Sequence, residues 1–294
     1  MSPDQVRAVI VTHRSATEVA AAVRSCLAEG LAPSHLRVVD NASPDRTVAV
    51  VAETAPGVPV TRLARNLGFA RAVNHGAAGL DGAALLLLNP DAELTAGALA
   101  ALCAALDQDP RRGAVSPRID RPDGRLDLAC RRSFPSPATA FFRLSRLSRL
   151  FPDHPRLAAY NLTDRPVDQP GPIDSGSGAC LLVRRTAWDR VQGFDPGYFM
   201  YGEDLDLCWR LGVAGYTVWY EPRARVRHHK GRSSRQRAVP MLWHFHGSMW
   251  RFYRQHYAAG WGLGLAPWVA LGILGRLLGL TAWNLVRRDP RVSP

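Results

Sequence analysis

The chain has 294 residues, of which 47% are hydrophobic, and it can form one large α/β domain with appendages or two smaller domains. Its formal net charge of +12, from 37 basic and 25 acidic residues, favours anionic partners such as diphosphates, acidic lipid headgroups or nucleic acid. The apolar content excludes a wholly disordered protein.

Short strand patterns alternate with helical patterns through the first 120 residues. The candidate strands are Val6–Thr12, Leu36–Asp40, Val58–Leu63, Ala84–Leu88 and Ala114–Pro117. The candidate helices are Thr17–Glu29, Arg46–Glu53, Phe69–Gly79 and Thr95–Gln108. This alternation predicts a parallel sheet with helices on both faces, and such sheets bind ligands at the carboxyl ends of their strands.

Proline and arginine dominate the next stretch, from about Arg118 to Pro172. Within it, Phe141–Phe151 has leucines and arginines at helical spacing and predicts a basic amphipathic helix. The apolar stripe of this helix either packs on the core or lies on a membrane surface.

Regular patterns return in the remainder of the chain. The candidate strands there are Ala179–Arg184, Tyr216–Tyr220 and Ala224–His228. The candidate helices are Glu203–Val213, Met241–Tyr257 and the long apolar stretch Trp261–Val286.

Two carboxylates follow buried strands, where a ligand is expected to bind. Asp40 precedes the turn Asn41–Asp45, which either caps the next helix or lets Asp40 accept the imide N–H of a uracil or thymine ring. Asn89-Pro90-Asp91 is either a simple turn or the place where Asp91 holds a divalent cation against a diphosphate. Between them, Gly68 permits close backbone approach at a helix N-terminus that suits a phosphate.

Acidic and histidine side chains mark a second group of candidates. Glu203, Asp204 and Asp206 crowd the first turn of a predicted helix, where acids can simply complement the helix dipole. The aromatic and methionine residues of Tyr198–Tyr201 directly precede them, which is unusual for a solvated cap and favours general-base chemistry. His228 is either structural or completes the coordination of the metal.

With these segments the chain resembles the family 2 glycosyltransferases of the GT-A fold, and within them the bacterial rhamnosyltransferases most. The resemblance covers residues 6–233, roughly four fifths of the chain, with the motifs in family order. The matching stretches are Val9–Thr12, Val38–Ser43, Arg65–Ala70, Leu88–Asp91, Gly178–Arg185, Gly193–Asp195, Phe199–Cys208, and His228 with Gly231 and Ser233.

The resemblance implies a fold and a division of the chain. The fold is a Rossmann-like mixed α/β sheet flanked by helices, of the nucleotide-diphospho-sugar transferase type. Residues 1–235 form the catalytic domain, with a nucleotide-binding half to about residue 117 and an acceptor-side half from about 118 to 235. Residues 236–294 form a helical, apolar, membrane-associating extension.

The resemblance also implies roles for individual residues. Asp204, with Glu203 beside it, would deprotonate the acceptor hydroxyl for a single in-line displacement that inverts the anomeric centre. Asp91 and His228 would hold Mg²⁺ or Mn²⁺ on the donor diphosphate. The donor nucleotide-binding positions are Thr12, Asp40, Asn41, Arg65, Asn66, Gly68, Asn74 and Asn89. The acceptor-side positions are Gly178, Tyr201 and Asp206.

Two residues depart from the family pattern. Asn89 stands where many relatives carry Asp, so one charged metal ligand is missing, and Gly202 follows Tyr201. The resemblance implies transfer of L-rhamnose from dTDP-rhamnose to a polyprenyl-diphosphate-linked or glycan acceptor in cell-envelope synthesis, with a UDP-hexose as the alternative donor.

Other functions agree less well with the sequence. A nucleic-acid-binding protein would also be basic, but the aromatic residues here lie beside acids rather than among arginines. A non-catalytic scaffold with the same fold would be free to lose Asp91 and Asp204, and both are present. A nucleotidyltransferase needs a Gly-rich basic loop after the first strand, where this chain has Thr12–Ser15.

The location expected is cytoplasmic, on the inner face of the plasma membrane. The five cysteines form no C-x-x-C pair and predict buried, reduced thiols, and the polar N-terminus predicts no signal peptide. Trp261–Val286 is long enough to span ~30 Å, but Arg276, Pro267 and several glycines argue against a simple span. Peripheral attachment to anionic lipid is therefore favoured over a true span or burial against the catalytic domain.

Overall fold

The computed structural model describes residues 1–145, 147–229 and 238–286. Two of the motif residues above, Gly231 and Ser233, lie outside the described residues, and so does Arg146 in the predicted amphipathic helix.

Nine strands form one mixed sheet with helices on both faces. The strands are β1 (Val6–Thr12), β2 (Leu36–Asp40), β3 (Val60–Arg62), β4 (Ala84–Leu88), β5 (Ala92–Leu94), β6 (Arg112–Asp120), β7 (Gly171–Ile173), β8 (Cys180–Arg184) and β9 (Thr217–His228). Their order is β3-β2-β1-β4-β8-β6-β9-β5, and β7 pairs with β9. The predicted fold class is therefore confirmed.

The helices connect the strands and continue beyond the sheet. Those in the described part of the chain are α1 (Val19–Ala28), α2 (Thr47–Thr54), α3 (Phe69–Ala77), α4 (Ala98–Asp107), α5 (Pro137–Leu144), α6 (Leu147–Leu150), α7 (Arg185–Arg190), α8 (Glu203–Val213), α9 (Ala238–His256) and α10 (Trp261–Val286).

The four strands β3, β2, β1 and β4 are parallel, and β2, β1 and β4 carry the hydrophobic core on both faces. Successive side chains of a strand point to opposite faces, so Ile10 and Leu86 pack in one hydrophobic cluster and Val9 and Leu87 in the other. Burial on both faces explains why these strands are continuous apolar runs in the sequence. Because these strands run parallel, the carboxyl ends of β1, β2 and β4 lie along one edge of the sheet.

The second half of the sheet differs from the prediction. Strand β8 lies antiparallel between β4 and β6, and the three-residue strands β5 and β7 were not predicted because they are too short to show a periodic pattern. The two strands predicted at Tyr216–Tyr220 and Ala224–His228 are one strand, β9. Its register against β6 shifts after Glu221, which accommodates Pro222 without a ladder hydrogen bond.

The predicted amphipathic helix at Phe141–Phe151 is two short helices, α5 and α6. The side chains of Phe141, Leu150 and Phe151 are 60%, 69% and 52% exposed, so these three residues do not pack on the core. All five cysteines are free and buried, in agreement with the prediction.

The two C-terminal helices have different environments. Leu242 and Phe252 of α9 are buried against the rest of the protein. The apolar segment Gly262–Leu285 of α10 has a mean hydropathy of 1.7, yet only 6% of it is buried. By length and composition alone this segment can cross a membrane. Burial of α10 against the catalytic domain, one of the alternatives above, is wrong.

Candidate active site

Asp40 lies at the carboxyl end of β2, beside the end of β1, because Thr12 and Asp40 are register partners. Its carboxylate is fully buried and accepts hydrogen bonds from the backbone N–H of Ser43 at 3.1 Å and from the Thr12 hydroxyl at 3.3 Å. The Nε atom of Arg62 lies 3.7 Å from Asp40 Oδ2. Asp40 thus shapes the turn, and the Asp45 carboxylate accepts the N–H of Thr47 in the first turn of α2 at 3.2 Å, as the capping alternative expected.

A cavity of about 500 Å³ opens over this turn. It is lined by Ala42, Ser43, Pro44, Arg62, Leu63 and Ala64. The cavity lies over the turn after Asp40, where the sequence predicted that a nucleobase binds. Ser43 and Arg62 line the cavity, and the sequence did not predict either as a site residue. Arg62 precedes the Arg65–Ala70 motif without belonging to it, so no sequence signal distinguished it.

The loop after β3 is held by Asn41. Its Oδ1 accepts the Leu67 N–H at 2.8 Å, and its Nδ2 donates to the Gly68 carbonyl at 3.2 Å. Asn66 Oδ1 accepts the Gly68 N–H at 2.9 Å. Gly68 has φ +84°, and a side chain there would collide with the backbone of Phe199. Gly68 therefore allows the donor-side loop to contact the acceptor-side segment directly.

Asn74 has a different role from the predicted one. Its Oδ1 accepts the Phe194 N–H at 2.9 Å, and its Nδ2 donates to the Phe194 carbonyl at 2.7 Å. Because both ends of the amide are bonded to the backbone, Asn74 stabilises the loop Gly193–Asp195 and is not directed at a donor. Arg65, by contrast, is exposed on the loop held by Asn41.

Asp91 and His228 meet at the junction of β4, β5 and β9, although they are 137 residues apart. His228 Nε2 lies 3.1 Å from Asp91 Oδ1, and His228 Nδ1 lies 3.6 Å from Asp127 Oδ2. Burial lowers the pKa of His228, but the hydrogen bonds and charges of Asp127 and Asp91 outweigh it and raise the pKa to about 9. The two carboxylates therefore favour the protonated imidazole, and a cation that binds at Asp91 and His228 would have to displace the proton from Nε2.

This pair fits a divalent cation with few protein ligands. In the part of the chain that the structure describes, no group of three or more His, Cys, Asp or Glu side chains could hold a metal by itself. Adjacent ligands ~2.1 Å from an octahedral ion lie ~3.0 Å apart, close to the 3.1 Å between Asp91 and His228. Asp127 would orient the imidazole from its other side, as carboxylates beside metal-bound histidines do. Asp127 was missed because it lies in an irregular segment.

Asp204 lies in the first turn of α8, and hydrogen bonds connect this turn to the carboxyl end of β4. The Asn89 N–H donates to the Ala179 carbonyl at 2.9 Å, and the Gly178 N–H donates to Asp204 Oδ2 at 3.1 Å. These two bonds connect the strand end before Asp91 to the carboxylate of Asp204. The structure therefore brings the predicted metal ligand and the predicted base to one region.

Glu203 lies beside Asp204 and is buried. Its Oε2 atom has no hydrogen-bond partner within the described residues. Burial, and then the charge of Asp204, raise the pKa of Glu203 to about 8. Burial without a hydrogen-bond partner for Oε2 among the described residues thus favours the protonated form of Glu203.

Two of the predicted acceptor-side residues, Tyr201 and Asp206, have different surroundings. Tyr201 has φ +70°, and its ring lies edge-on to Phe245 of α9 with centroids 5.6 Å apart. Asp206 is fully buried and bonded to Arg210 at 2.7 Å and to His256 at 2.9 Å. Asp206 therefore fastens α8 to α9, and its side chain is only 1% exposed, which leaves almost no surface for contact with an acceptor.

Helix α9 is joined to the segment that carries the base. Arg251 forms an ion pair with Asp195 at 2.8 Å, and the Ser248 hydroxyl donates to the Met200 carbonyl at 3.1 Å. These contacts place one face of α9 against the segment from Asp195 to Met200, directly before Glu203 and Asp204.

Family models match almost the whole chain. The model described as "Glycosyl transferase family 2" matches residues 8–190, and that described as "Glycosyl transferase family group 2" matches residues 162–287. The chain is similar to an N-acetylglucosaminyl-diphospho-decaprenol L-rhamnosyltransferase of Mycobacterium tuberculosis, with 33% identity over 88% of this chain and 87% of the relative. It is also similar to the rhamnosyltransferase WbbL of Escherichia coli, with 44% identity over 24% of this chain and 28% of the relative.

A solved structure shares the fold. It is the mannosyltransferase PcManGT from Pyrobaculum calidifontis in complex with GDP-Man and Mn²⁺, with a TM-score of 0.58 and 17% identity. The match covers 96% of this chain and 77% of that one.

Proposed function

The chain belongs to glycosyltransferase family 2, and from this premise we propose that it moves L-rhamnose from dTDP-rhamnose to a polyprenyl-diphosphate-linked saccharide, in a metal-dependent reaction with inversion. The observation that carries the proposal is the convergence of Asp204 and the Asp91–His228 pair at one end of the sheet. The mycobacterial relative supports rhamnose and a prenyl-linked acceptor through its name.

The donor is bound along the strand ends. The nucleobase enters the cavity over Asp40, and the loop held by Asn41 lies along the sugar–phosphate part. Asp91 and His228 would hold a divalent cation, which when bound neutralises charge on the donor diphosphate.

Asp204 performs the proton transfer. Its carboxylate accepts the proton of the acceptor hydroxyl while the hydroxyl oxygen forms a bond to the anomeric carbon. The bond between that carbon and the diphosphate oxygen breaks, and its electron pair leaves with the nucleoside diphosphate. Because the attack is in line with the departing group, the anomeric configuration inverts.

A donor screen tests this proposal. We expect dTDP-rhamnose to be transferred and GDP-sugars to be refused, because a thymine or uracil imide N–H can donate to Asp40 once Arg62 moves aside. The measurement is transfer to a synthetic polyprenyl-diphosphate saccharide, with release of nucleoside diphosphate as a second readout.

The outcome also separates the alternatives. Use of a UDP-hexose in place of dTDP-rhamnose would keep the transferase and change the sugar. Equal rates with GDP- and UDP-sugars would contradict the role of Asp40. As a control, the variant Asp189→Asn changes an exposed carboxylate on α7 that is paired with Arg185, and it should keep the same donor preference.

The exposed face of α10 supports membrane attachment at the inner face of the plasma membrane. Trp268, Leu271 and Leu278 are 72%, 60% and 55% exposed, which is costly in water. Arg276, which the sequence analysis counted against a span, donates to His246 of α9 at 2.9 Å. The charge is therefore directed at α9 and away from the apolar face, so a monotopic helix needs no charge in the lipid.

Flotation with anionic liposomes tests this attachment. We expect the full chain to float, and the triple variant Trp268→Glu, Leu271→Glu, Leu278→Glu to remain at the bottom of the gradient, because its outer face no longer partitions into lipid. Val213→Glu changes an exposed apolar residue of α8 and should float like the wild type. If the full chain stays at the bottom in both low and high salt, the membrane proposal is wrong.

A further inference from the structure

An arginine that no sequence pattern indicated contacts the carboxylate of Asp204, and its side chain is only 11% exposed. Arg132 donates from Nη2 to Asp204 Oδ2 at 2.7 Å and to the Gly176 carbonyl at 2.6 Å. Its backbone is fixed by two hydrogen bonds with Ser175, each 3.0 Å long. A side chain at Gly176 would collide with the side chains of Ser116 and Leu181, so glycine at this position lets the segment with the accepting carbonyl pack closely against β6 and β8.

The acidic side chains at the start of α8 have different cationic partners. Asp206 has its own partners, Arg210 and His256, whereas Arg132 faces Asp204 and Glu203. Burial lowers the pKa of Arg132, but the charge of Asp204 outweighs it and raises the pKa above its usual range. The pair is therefore a charge-assisted hydrogen bond out of water, which is stronger and shorter than a neutral one.

The hydrogen bonds distinguish the two oxygens of Asp204. Oδ2 accepts from Arg132 and from the Gly178 N–H, while within the described residues Oδ1 accepts from one donor, the N–H of the next residue, Leu205. A carboxylate oxygen has two acceptor sites. Oδ1 therefore keeps a site for the proton of an incoming hydroxyl, and Oδ2 does not.

We propose that Arg132 is a positioning residue that holds the carboxylate of Asp204 by its Oδ2 oxygen and leaves Oδ1 free to accept the acceptor proton. This inference rests on the proposed function, in which Asp204 is the base. It adds that the orientation of this carboxylate is set by one guanidinium from an irregular segment 72 residues earlier in the chain.

The test combines a charge-keeping variant, a charge-removing variant and a kinetic double-mutant cycle. Arg132→Gln should lower kcat by ~10- to 100-fold, because a small misplacement of a reacting group costs up to about that much, while the donor KM changes little. Arg132→Lys should recover at least part of kcat, since it keeps the charge. In the Asp204→Asn background, Arg132→Gln should have almost no further effect, because the group it acts through is already gone.

A neighbouring arginine provides the matched control. Arg131 is buried, but it donates to the carbonyls of Arg165 and Pro166 and not to Asp204. Arg131→Gln should lower the melting temperature and keep kcat within ~3-fold of wild type, as expected for a structural residue. Binding of the nucleoside diphosphate, measured by calorimetry, shows that each variant retains a folded donor site.

The outcomes separate this inference from the proposed function. A wild type that transfers no sugar contradicts the proposed function itself. If the wild type is active and Asp204→Asn is not, the inference on Arg132 is overturned by an Arg132→Gln enzyme with near-wild-type kcat. It is equally overturned if Arg132→Gln costs as much in the Asp204→Asn background as in the wild type, or if Arg132→Lys is no better than Arg132→Gln.

Discussion

Replacing Asp204 by asparagine is expected to lower kcat by at least ~10²-fold while donor binding persists, because the amide keeps the shape of the side chain and loses its basicity. The first-turn position of Asp204 and its bond to the Gly178 N–H fix it at the strand ends where we propose that the donor binds. The measurement is steady-state transfer, with the affinity for the nucleoside diphosphate determined separately.

Controls make this result specific. Asp189→Asn, on the exposed side of α7, should retain wild-type kcat and donor affinity. If Asp204→Asn turns over at a rate close to wild type, Asp204 is not the base. In that case Glu203→Gln becomes the decisive variant, because Glu203 is the adjacent carboxyl group.

Chelation with EDTA is expected to abolish turnover, and Mg²⁺ or Mn²⁺ in excess should restore it. Asp91→Ala should weaken donor affinity most when the metal is scarce, because it removes one of two protein ligands and leaves His228 alone. The measurement is donor affinity as a function of metal concentration, together with the rate.

A nearby acid serves as the control for the metal prediction. Asp120 on β6 is ion-paired with Arg118 at 2.9 Å and lies outside the proposed ligand pair, so Asp120→Ala should keep the metal dependence of the wild type. Undiminished activity in chelator would count against a metal-dependent mechanism, and it would leave the assignment of Asp204 untouched.

The contacts of α9 change how truncations should be designed. Removal of residues after about 235 would delete the α9 side chains that bond Asp195, Met200 and Asp206, all in or beside the segment of the base. Such a truncation would impair catalysis even in detergent. The membrane contribution is therefore measured by substitutions on the outer face of α10, which leave α9 in place.

The sequence by itself determined most of the regular structure. Val6–Thr12, Leu36–Asp40 and Ala84–Leu88 were predicted with the bounds that the structure has, because strands buried on both faces are continuous apolar runs. The rule that ligands bind at the carboxyl ends of strands then identified Asp40 and Asp91 as candidates. The order of the motifs identified the family, which the family models confirm.

The tertiary structure decided which of these residues meet and what each does. His228 reaches Asp91 only because β9 pairs antiparallel with β5, and Arg132 reaches Asp204 only because its segment pairs with Ser175. Asn74 and Asp206 turned out to be bonded within the protein, which no pattern in their neighbourhood revealed. The physical reason is that the hydrophobic period of a segment shows which of its faces is buried, but not which distant residue packs there. Contacts between segments 72 or 137 residues apart depend on strand order and on irregular loops, which carry no period.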